Sequence, residues 1–307
     1  MSYADNVFIN MCHDILDNGT DTKGEKVRPI WTDTGEPAYT IKKFCVVNRY
    51  DLSKEFPALT LRKTGFKSCV DEMLWIWQKK SSNIKDLNSH IWDEWADASG
   101  SIGTAYGYQI GQKYVHHKLE YRKTENLSDY PSASIVERMR GDKYVYLDQI
   151  DAVIYDLKNN PFSRRIITNI YVHKDLKTMN LYPCAYSMTF NVTQKDGKLV
   201  LNGILNQRSQ DVLAANNWNV VQYSVLLHMI AQVCNMQVGE FVHVIADAHI
   251  YDRHIELVKE LISREPLPAP KFWINPEIKN FYDFTTDDVK LIDYETHPQI
   301  KNIPIAV

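Results

Sequence analysis

One cysteine of this sequence stands where it could act as a nucleophile. Cys184 directly follows a proline in the stretch LYPCAYSMTFNV, and the pair Arg208-Ser209 comes later in the same region. A nearby cation lowers the pKa of a thiol from its reference value of about 8.5, and the thiolate is the reactive form. Cysteine is also among the residue types most often buried in protein cores. The residues alone therefore leave two interpretations of Cys184 open, a nucleophile and a packing residue.

Two other polar pairs could hold a charged or hydroxylated ligand. Arg164 and Arg165 follow Pro161 at the entrance to a β-branched stretch, and guanidinium groups match the geometry of phosphate oxygens. His249 and Tyr251 lie two residues apart near the end of a predicted strand. Each pair also has an ordinary interpretation, a solvated charge pair for the arginines and edge polarity for the histidine and tyrosine.

The tryptophans divide into two predicted environments. Trp75 and Trp77 belong to an apolar helix, which predicts that they are part of the core. Trp92 and Trp95 lie in a stretch predicted to be a loop, where an exposed aromatic surface more often stacks on a ligand. The second pair is therefore a candidate ligand contact.

The composition limits the class of protein and its partners. The chain has 307 residues, 44% of them hydrophobic, and lacks any linker-like stretch, which favours one domain over residues 1–307. The net charge of -3 provides no basic field, which argues against nucleic acid as a partner and leaves an anionic ligand to a few placed arginines. Five scattered cysteines without a CxxC motif favour a reducing cytoplasm and argue against a zinc site. Neither a signal peptide nor a membrane span is predicted.

Hydrophobic periodicity predicts the elements that must position these residues. The Asp196-Gly197 pair between two alternating stretches predicts a β-hairpin, and the mixture of elements predicts an α+β fold with a mostly antiparallel or mixed sheet. No dinucleotide or P-loop motif is present. Helices are predicted near the N-terminus (closed by Gly19) and at 66–78, 148–161, 219–234 and 251–263, and strands at 165–173, 185–192, 198–205 and 240–250.

The polar segment 113–150 reads as a peripheral excursion from this framework. It contains adjacent histidines, His116 and His117, whose side chains would point apart, and no carboxylate cluster accompanies them. We therefore expect a solvated loop at this point in preference to a metal site. No function is predicted for the segment.

Several stretches in a fixed order resemble the thymidylate synthase family nearly from end to end. The resemblance implies an α+β domain whose large mixed sheet is flanked by helices and packs against the same sheet of a second copy in a homodimer. It also implies conversion of dUMP to dTMP, with 5,10-methylenetetrahydrofolate as donor of the carbon and the hydride and with no metal. The stretches are EMLWIW, HIWDEWAD, AYGYQ, NPFSRRIIT, PCAYS, QRSQDV, NWNV, DAHIYDRHIE, PEIKNFYDF and the terminal IAV.

The resemblance assigns the catalytic roles residue by residue. Cys184 would add to C6 of uracil and so activate C5, while Arg208 would favour the thiolate and hold phosphate. Glu72 would organise the waters that carry protons, and Tyr106 would assist proton loss from C5. Asn219 would pair with O4 and N3–H of uracil, an edge that cytosine reverses. Asp211 completes the catalytic set.

The same comparison implies which residues bind the two substrates. Phosphate would be held by Arg28, Arg208 and Ser209, with Arg164 and Arg165 reaching in from the partner subunit. The 3′-hydroxyl of deoxyribose would form hydrogen bonds with His249 and Tyr251. Asp211 and Asn219 complete the set of residues implied to bind dUMP. The folate set is Arg62, Trp92, Trp95, Asp211, Ala215, Trp218 and Ala306, with residues 305–307 closing as a lid.

Two departures from the family pattern keep other functions open. Ala185 follows the cysteine where many members have histidine, and LAANNWNV replaces a glycine- and proline-containing loop that floors the folate pocket. The first alternative is a dUMP hydroxymethylase, in which water in place of hydride would complete the reaction. The second is a nucleotide- or mRNA-binding regulator without turnover, although the negative net charge argues against RNA.

Overall fold

The computed structural model describes residues 1–120, 125–138 and 141–307, and local sequence signals account for the ends of several of its elements. The Ser2 hydroxyl caps the first helix by accepting from the backbone N–H of Asp5, and the Asp148 carboxylate caps the fourth by accepting from Asp151. The helices are α1 Tyr3–Asn18, α2 Phe66–Trp77, α3 Gly107–Ile110, α4 Gln149–Asn159, α5 Asn216–Val233 and α6 Ile255–Ile262. The strands are β1 Thr20–Asp21, β2 Thr40–Asp51, β3 Tyr114–Lys118, β4 Ser134–Glu137, β5 Lys143–Leu147, β6 Ile167–Asn169, β7 Ala185–Lys195, β8 Lys198–Gln207, β9 Gln210–Asp211, β10 Gln237–Tyr251, β11 Lys271–Ile274 and β12 Val289–Ile292.

A seven-stranded mixed sheet organises the molecule. Its strands run in the order β1-β2-β10-β8-β7-β6, and β9 pairs with the end of β10. β10 is parallel to β8 and antiparallel to β2, while β7 is antiparallel to both of its neighbours. The predicted α+β class with a large mixed sheet and flanking helices is therefore confirmed.

The buried helix α5 covers one face of this sheet and also packs on α2. Leu201 and Leu205 of β8 and Phe241 of β10 face it, and most α5 side chains are buried. Such a helix is apolar nearly all round because it contacts protein on both sides. It begins at Asn216, earlier than the predicted 219, so Trp218 lies in its first turn and not in a loop.

The hairpin at Asp196-Gly197 is confirmed. Both residues have positive φ, 49° and 75°, as a two-residue hairpin turn of this type requires. β7 and β8 run antiparallel from this turn, so the residues at the far ends of the hairpin come together. By contrast, the strand predicted at 165–173 is confirmed only over Ile167–Asn169, and His173–Thr178 forms a 3-10 helix.

The segment 113–150 contains a small three-stranded sheet of order β3-β5-β4. Val145 and Leu147 of β5 are fully buried in the main core, so the segment is anchored to it. The expectation of a solvated loop at His116 and His117 is wrong. Both lie half-buried on β3, against Tyr155 of α4, because the register of β3 is irregular between Val115 and His117, and this breaks the usual alternation of side chains.

Candidate functional site

Cys184 and Arg208 meet because they flank the open ends of the hairpin strands. The Arg208 backbone N–H donates to the Cys184 carbonyl at 2.9 Å, which extends the β7–β8 pairing by one step. The Arg208 Nη2 atom lies 3.7 Å from the Cys184 Sγ atom. Its guanidinium is fixed by the carbonyls of Pro183 (3.0 Å from Nε) and Tyr182 (2.8 Å from Nη2). The cation therefore stands beside the half-buried sulfur in one defined orientation.

The electrostatic surroundings of this thiol oppose one another. Burial raises the pKa of Cys184, and the charges of Arg208 and Arg28 act in the lowering direction. The net pKa lies above the ordinary value, so desolvation outweighs the two guanidinium groups in the protein alone. The sequence correctly predicts the direction in which the nearby cation acts, but it cannot predict the cost of burial.

Tyr106 lies against the cysteine from a strained backbone position. Its hydroxyl accepts from the Cys184 backbone N–H at 3.3 Å, and burial raises its own pKa well above 10. Its φ of 45° is unusual for a bulky residue, and such a conformation costs about 1–3 kcal/mol. Gly107 follows because a Cβ atom there would lie 2.1 Å from the Ser81 carbonyl oxygen. Tight packing against residue 81 thus fixes the ring that supports Cys184.

Glu72 of α2 is a buried carboxylate that accepts from three side chains. Its Oε1 atom accepts from the Trp92 indole at 2.7 Å, and Oε2 accepts from Trp218 and, at 2.7 Å, from Gln222. Burial raises the pKa of this carboxyl group, and the three donors act against that rise. A carboxyl group with a raised pKa inside a polar cluster is suited to proton transfer.

Asn219 lies on α5 within a chain of side-chain amides. Its Oδ1 atom accepts from Gln207 at 3.3 Å and from Gln210 at 3.4 Å. Its Nδ2 atom donates to Gln222 at 3.4 Å, and Gln222 in turn donates to Glu72. The amide predicted to read the base is therefore connected to the predicted proton-transfer residue through one glutamine.

Asp211 lies at the start of the segment that leads into α5 and contacts His254. The distance from Asp211 Oδ1 to His254 Nδ1 is 3.6 Å, which is an ion-pair contact longer than a hydrogen bond, and the same oxygen accepts from the Ala214 N–H at 3.0 Å. Burial acts to raise the pKa of Asp211, but His254 and the Ala214 N–H outweigh it, and the pKa is lowered. Asp211 is thus an ionised acceptor.

His249 and Tyr251 lie at the end of β10, on the side of Asp211. His249 Nδ1 lies 2.8 Å from Asp247 Oδ1. The rings of His249 and Tyr251 meet edge to face, with their centroids 5.1 Å apart. The charge of Arg28 acts to lower the pKa of both Tyr251 and Cys184, so it lies near both groups. The structure therefore brings these three predicted substrate residues to the same region as the thiol.

The remaining predicted phosphate residues have two different placements. Ser209 is half-buried directly after Arg208. Arg164 and Arg165 are exposed in a turn before β6, at the edge of the sheet. Within the described part of the chain, no hydrogen bond or ion pair joins either guanidinium to Cys184.

The predicted folate residues have different surroundings, and one expectation about them needs correction. Trp92 is only 7% exposed, so the expectation of an exposed loop ring is wrong; its indole N–H is directed at Glu72 because the loop folds back onto α2. Trp95 and Trp218 are half-buried, and Ala215 immediately precedes α5. Arg62 is buried against the Leu213 carbonyl, near the charge of Asp211.

The C-terminal residues pair with the segment next to Arg28. Ala306 bridges to Trp31, and the backbone of Ile30 exchanges hydrogen bonds of 2.9 and 3.0 Å with Val307. The His254 Nε2 atom donates to the Pro304 carbonyl at 2.8 Å. The chain end is therefore held over the region that contains Asp211 and Arg28.

Three residues of the site have no predicted role, namely Gln207, Gln222 and His254. Gln207 and His254 are within stretches that carry the family resemblance, but their contacts cannot be derived from spacing. Gln222 has a weak signal, since it is a polar residue in a helix that is apolar nearly all round.

The part of the chain that the structure describes contains neither a metal-binding cluster nor a membrane-spanning helix. Over residues 1–120, 125–138 and 141–307, no group of three or more His, Cys, Asp or Glu side chains could hold a metal ion. In the same ranges no helix combines the length and the apolar character that crossing a membrane would demand.

Comparisons with known proteins agree with one another. The family model for thymidylate synthase matches residues 6–307. The chain is 41% identical over 298 residues to thymidylate synthase from Bacillus subtilis subsp. natto, and equally to that of Bacillus phage phi3T, with 96% of each chain covered. The solved thermostable thymidylate synthase A from Bacillus subtilis superposes with a TM-score of 0.83 at 38% identity, over 99% of both chains. With Cys184, Arg208, Tyr106 and Glu72 gathered at one site, these matches show that the chain belongs to the thymidylate synthase family.

Proposed function

We propose that this protein converts dUMP to dTMP through addition of the Cys184 thiolate to C6 of the uracil ring. The observation that carries the proposal is the 3.7 Å contact between the Arg208 guanidinium and the Cys184 sulfur. A cation held in that orientation favours the thiolate over the thiol and so acts against the effect of burial on Cys184. The covalent step turns C5, a poor nucleophile, into a carbon that can accept the one-carbon unit.

Glu72 and Tyr106 are proposed to move the protons that this sequence of steps requires. Glu72 has a raised pKa, and its link through Gln222 to Asn219 positions it relative to the base edge. Ordered water, and not the amides, would carry the proton between the carboxyl group and the base. The Tyr106 hydroxyl is held beside the cysteine backbone, where it can assist proton loss from C5. Their burial keeps bulk water from the reacting atoms.

The residues around Asp211 fit a folate. Asp211 is ionised, and within the described residues its Oδ2 atom accepts no hydrogen bond, so it can accept from an N–H of a pterin ring. Trp95 and Trp218 offer half-buried rings nearby. When bound, 5,10-methylenetetrahydrofolate supplies the one-carbon unit and the hydride and leaves as dihydrofolate. The residues 305–307 are proposed to exclude water over it.

A homodimer is proposed from the uncovered face of the large sheet. Phe44 on β2 is 85% exposed, and Val47, Ile167 and Ile204 on the same sheet are also exposed. An apolar sheet face of this kind is typical of a surface that packs against another chain. A second copy would cover it and could bring Arg164 and Arg165 to the phosphate of the neighbouring site.

We also propose that the protein functions in a reducing compartment, the cytoplasm, because its five cysteines are all unpaired.

The names of the relatives do not favour the hydroxymethylase, and they give no support to a regulator without turnover. All the matched proteins named above are thymidylate synthases. Ala185 is buried at the start of β7 and leaves Cys184 and Arg208 in contact. The departures from the family pattern therefore change the surroundings of the site without dispersing it.

The first test is a spectrophotometric assay of dihydrofolate formation with dUMP. We expect turnover by the natural protein, none by Cys184→Ser, and full turnover by Cys45→Ser, which alters an exposed cysteine. Mass spectrometry should detect a covalent adduct with 5-fluoro-dUMP and methylenetetrahydrofolate. A Cys184→Ser protein that works at full rate would contradict the proposed mechanism.

The second test addresses the shared site. Cys184→Ser and the double variant Arg164→Ala/Arg165→Ala should each be inactive alone. When the two are dissociated and mixed, random reassociation should restore about a quarter of the activity, because half of the dimers are mixed and each has one intact site. No recovery, with mixed dimers demonstrated by mass, would contradict the contribution of these arginines in trans.

A further inference from the structure

His243 of β10 is a fully buried polar residue with no role in the steps described so far. Its Nε2 atom lies 2.8 Å from the Gln207 Oε1 atom, and its exposed fraction is 0%. Burial lowers the pKa of the imidazole to about 3, so the ring is neutral and has one N–H. Its Nδ1 atom has no hydrogen-bond partner. The single hydrogen bond of His243 is therefore directed at one amide oxygen.

The direction of the Gln207 amide follows from a partner that can only accept. Gln207 Nε2 lies 3.1 Å from the Ser209 backbone carbonyl, so the nitrogen must occupy that end of the amide. The oxygen then faces His243, which must carry its proton on Nε2. Gln207 is itself buried, so an unpaired Oε1 atom there would lose a hydrogen bond that water could not replace.

The same reasoning applies from the other end of the amide chain. Gln222 Nε2 donates to the Glu72 carboxylate at 2.7 Å and to the Cys69 carbonyl at 3.3 Å, and both partners accept. The oxygen of Gln222 therefore faces Asn219 Nδ2, and the nitrogen of Gln207 faces Asn219 Oδ1. These two fixed ends, together with the Gln210 Nε2 atom that also donates to Asn219 Oδ1 at 3.4 Å, leave Asn219 a single amide orientation.

That orientation matters because the two pyrimidine edges are opposite. Uracil offers an acceptor at O4 and a donor at N3–H, whereas cytosine offers a donor at N4 and an acceptor at N3. An asparagine amide turned by 180° exchanges its donor and acceptor and would suit cytosine. Whatever fixes the amide therefore contributes to the choice of base.

We propose that His243 is a positioning residue for base selection, which holds Gln207 and thereby keeps Asn219 in the orientation that reads uracil. The proposal rests on the role given above to Asn219. His243 touches neither substrate. It acts through Gln207, and it does so from the interior of the sheet.

The test is calorimetric binding of dUMP and of dCMP to substituted proteins. His243→Leu removes the donor. The dissociation constant for dCMP divided by that for dUMP should then fall by about three- to tenfold, the effect of one neutral hydrogen bond. His243→Gln can place its amide nitrogen near the position of Nε2 and should retain the natural ratio. His243→Asn is too short to do so and should resemble His243→Leu. A purely structural role would weaken both nucleotides equally, because they share the phosphate and deoxyribose.

Asn219→Asp, measured in parallel, separates failure of this inference from failure of the proposed function. If Asn219→Asp shifts the preference toward dCMP but His243→Leu and His243→Asn leave the ratio unchanged, the role of His243 is wrong. If Asn219→Asp also leaves the ratio unchanged, both roles are wrong. A fall in the preference for dUMP over dCMP in His243→Gln, as large as that in His243→Leu, would likewise overturn the inference.

A spectroscopic measurement checks the geometry without any variant. Nitrogen NMR of the histidine rings should show His243 as the tautomer protonated at Nε2 and uncharged. The Nδ1-protonated tautomer would overturn the inference, since Gln207 would then present its nitrogen to His243.

Discussion

Replacing Glu72 with glutamine tests the proposed proton transfer with almost no change in shape. The carboxylate accepts from Trp92 at one oxygen and from Trp218 and Gln222 at the other. A glutamine retains two of these bonds if its oxygen occupies the Oε2 position, and its NH₂ group then faces the Trp92 indole N–H. One buried hydrogen bond is lost and two donors oppose each other, which costs about 1–3 kcal/mol in the free energy of unfolding.

The same substitution removes the titration of this group. Because burial raises the pKa of Glu72 in the folded protein above its ordinary value of 4.5, the folded state binds the proton more tightly than the unfolded state. The contribution of Glu72 to stability is therefore present at low pH and declines as the pH rises from that value through the folded pKa. Urea denaturation at a series of pH values should show a smaller decline in Glu72→Gln than in the natural protein, because Asp5 and Asp148, whose pKa values are also raised, titrate in both.

The catalytic effect should be much larger than the effect on stability. Loss of a positioned proton-transfer group lowers kcat by about 10²- to 10⁴-fold. We expect a fall in this range for dTMP formation, measured through dihydrofolate absorbance, with the covalent adduct to 5-fluoro-dUMP still formed. The adduct should survive because Cys184 and Arg208 remain in place.

Asp71→Asn is the matched control for this prediction. Asp71 is the neighbouring buried carboxylate on α2, and it accepts from the backbone and side chain of Asn88 at 2.9 Å, outside the amide chain. Its charge has only a minor raising effect on the pKa of Glu72. Its substitution should lower stability and leave kcat nearly unchanged. A Glu72→Gln protein with kcat within about threefold of the natural value would refute the reasoning, because that is far below the effect of a proton-transfer group.

Three other perturbations have defined outcomes. Burial acts to lower the pKa of His254, but Asp211 and the Pro304 carbonyl raise it above 6.5. The contribution of His254 to stability is therefore fully present below pH 6.5 and is lost as the pH rises through the pKa of the folded state. His254→Gln should remove this contribution, measured by urea denaturation as the pH is raised from 6.5. Asn217→Ala should lower the free energy of unfolding by about 1–3 kcal/mol, because the buried side-chain amide of Asn217 forms hydrogen bonds with Leu59, Thr64 and Pro57. An unchanged free energy of unfolding would contradict this account. Phe44→Asp should yield monomers by light scattering and abolish turnover, whereas Ile135→Asp, which alters an exposed apolar residue of the small sheet, should retain both the dimer and the activity. A stable active dimer of Phe44→Asp would refute the proposed interface.

The sequence predicts those parts of the fold that depend on local pattern. Asp196-Gly197 predicts its hairpin because positive φ at both positions is a property of these two residues and their turn. Helix α2 and the burial of Trp75 and Trp77 follow from an apolar surface that extends nearly around the helix. The predicted classification as α+β with a mixed sheet rests on the same local evidence.

Residues whose surroundings come from distant segments were predicted less well. Trp92 has the loop sequence of a ligand-stacking ring, but the loop folds onto α2 and directs the indole at Glu72. His116 and His117 have the polar neighbours of a loop, yet strand pairing with β5 turns them toward α4. In both cases a contact between segments far apart in the chain outweighs the local signal.

The amino-acid sequence by itself determined the inventory of this protein: the nucleophile candidate, the arginines, the family resemblance and the elements that carry them. Only the tertiary structure decided what each group experiences. At Cys184 it made burial, which raises the pKa, outweigh the arginines, which lower it. It also directed three hydrogen-bond donors at Glu72 and connected His243 to Asn219 through Gln207. The physical reason is that desolvation and hydrogen-bond direction depend on atoms brought together from across the chain, and no spacing along a sequence contains that information.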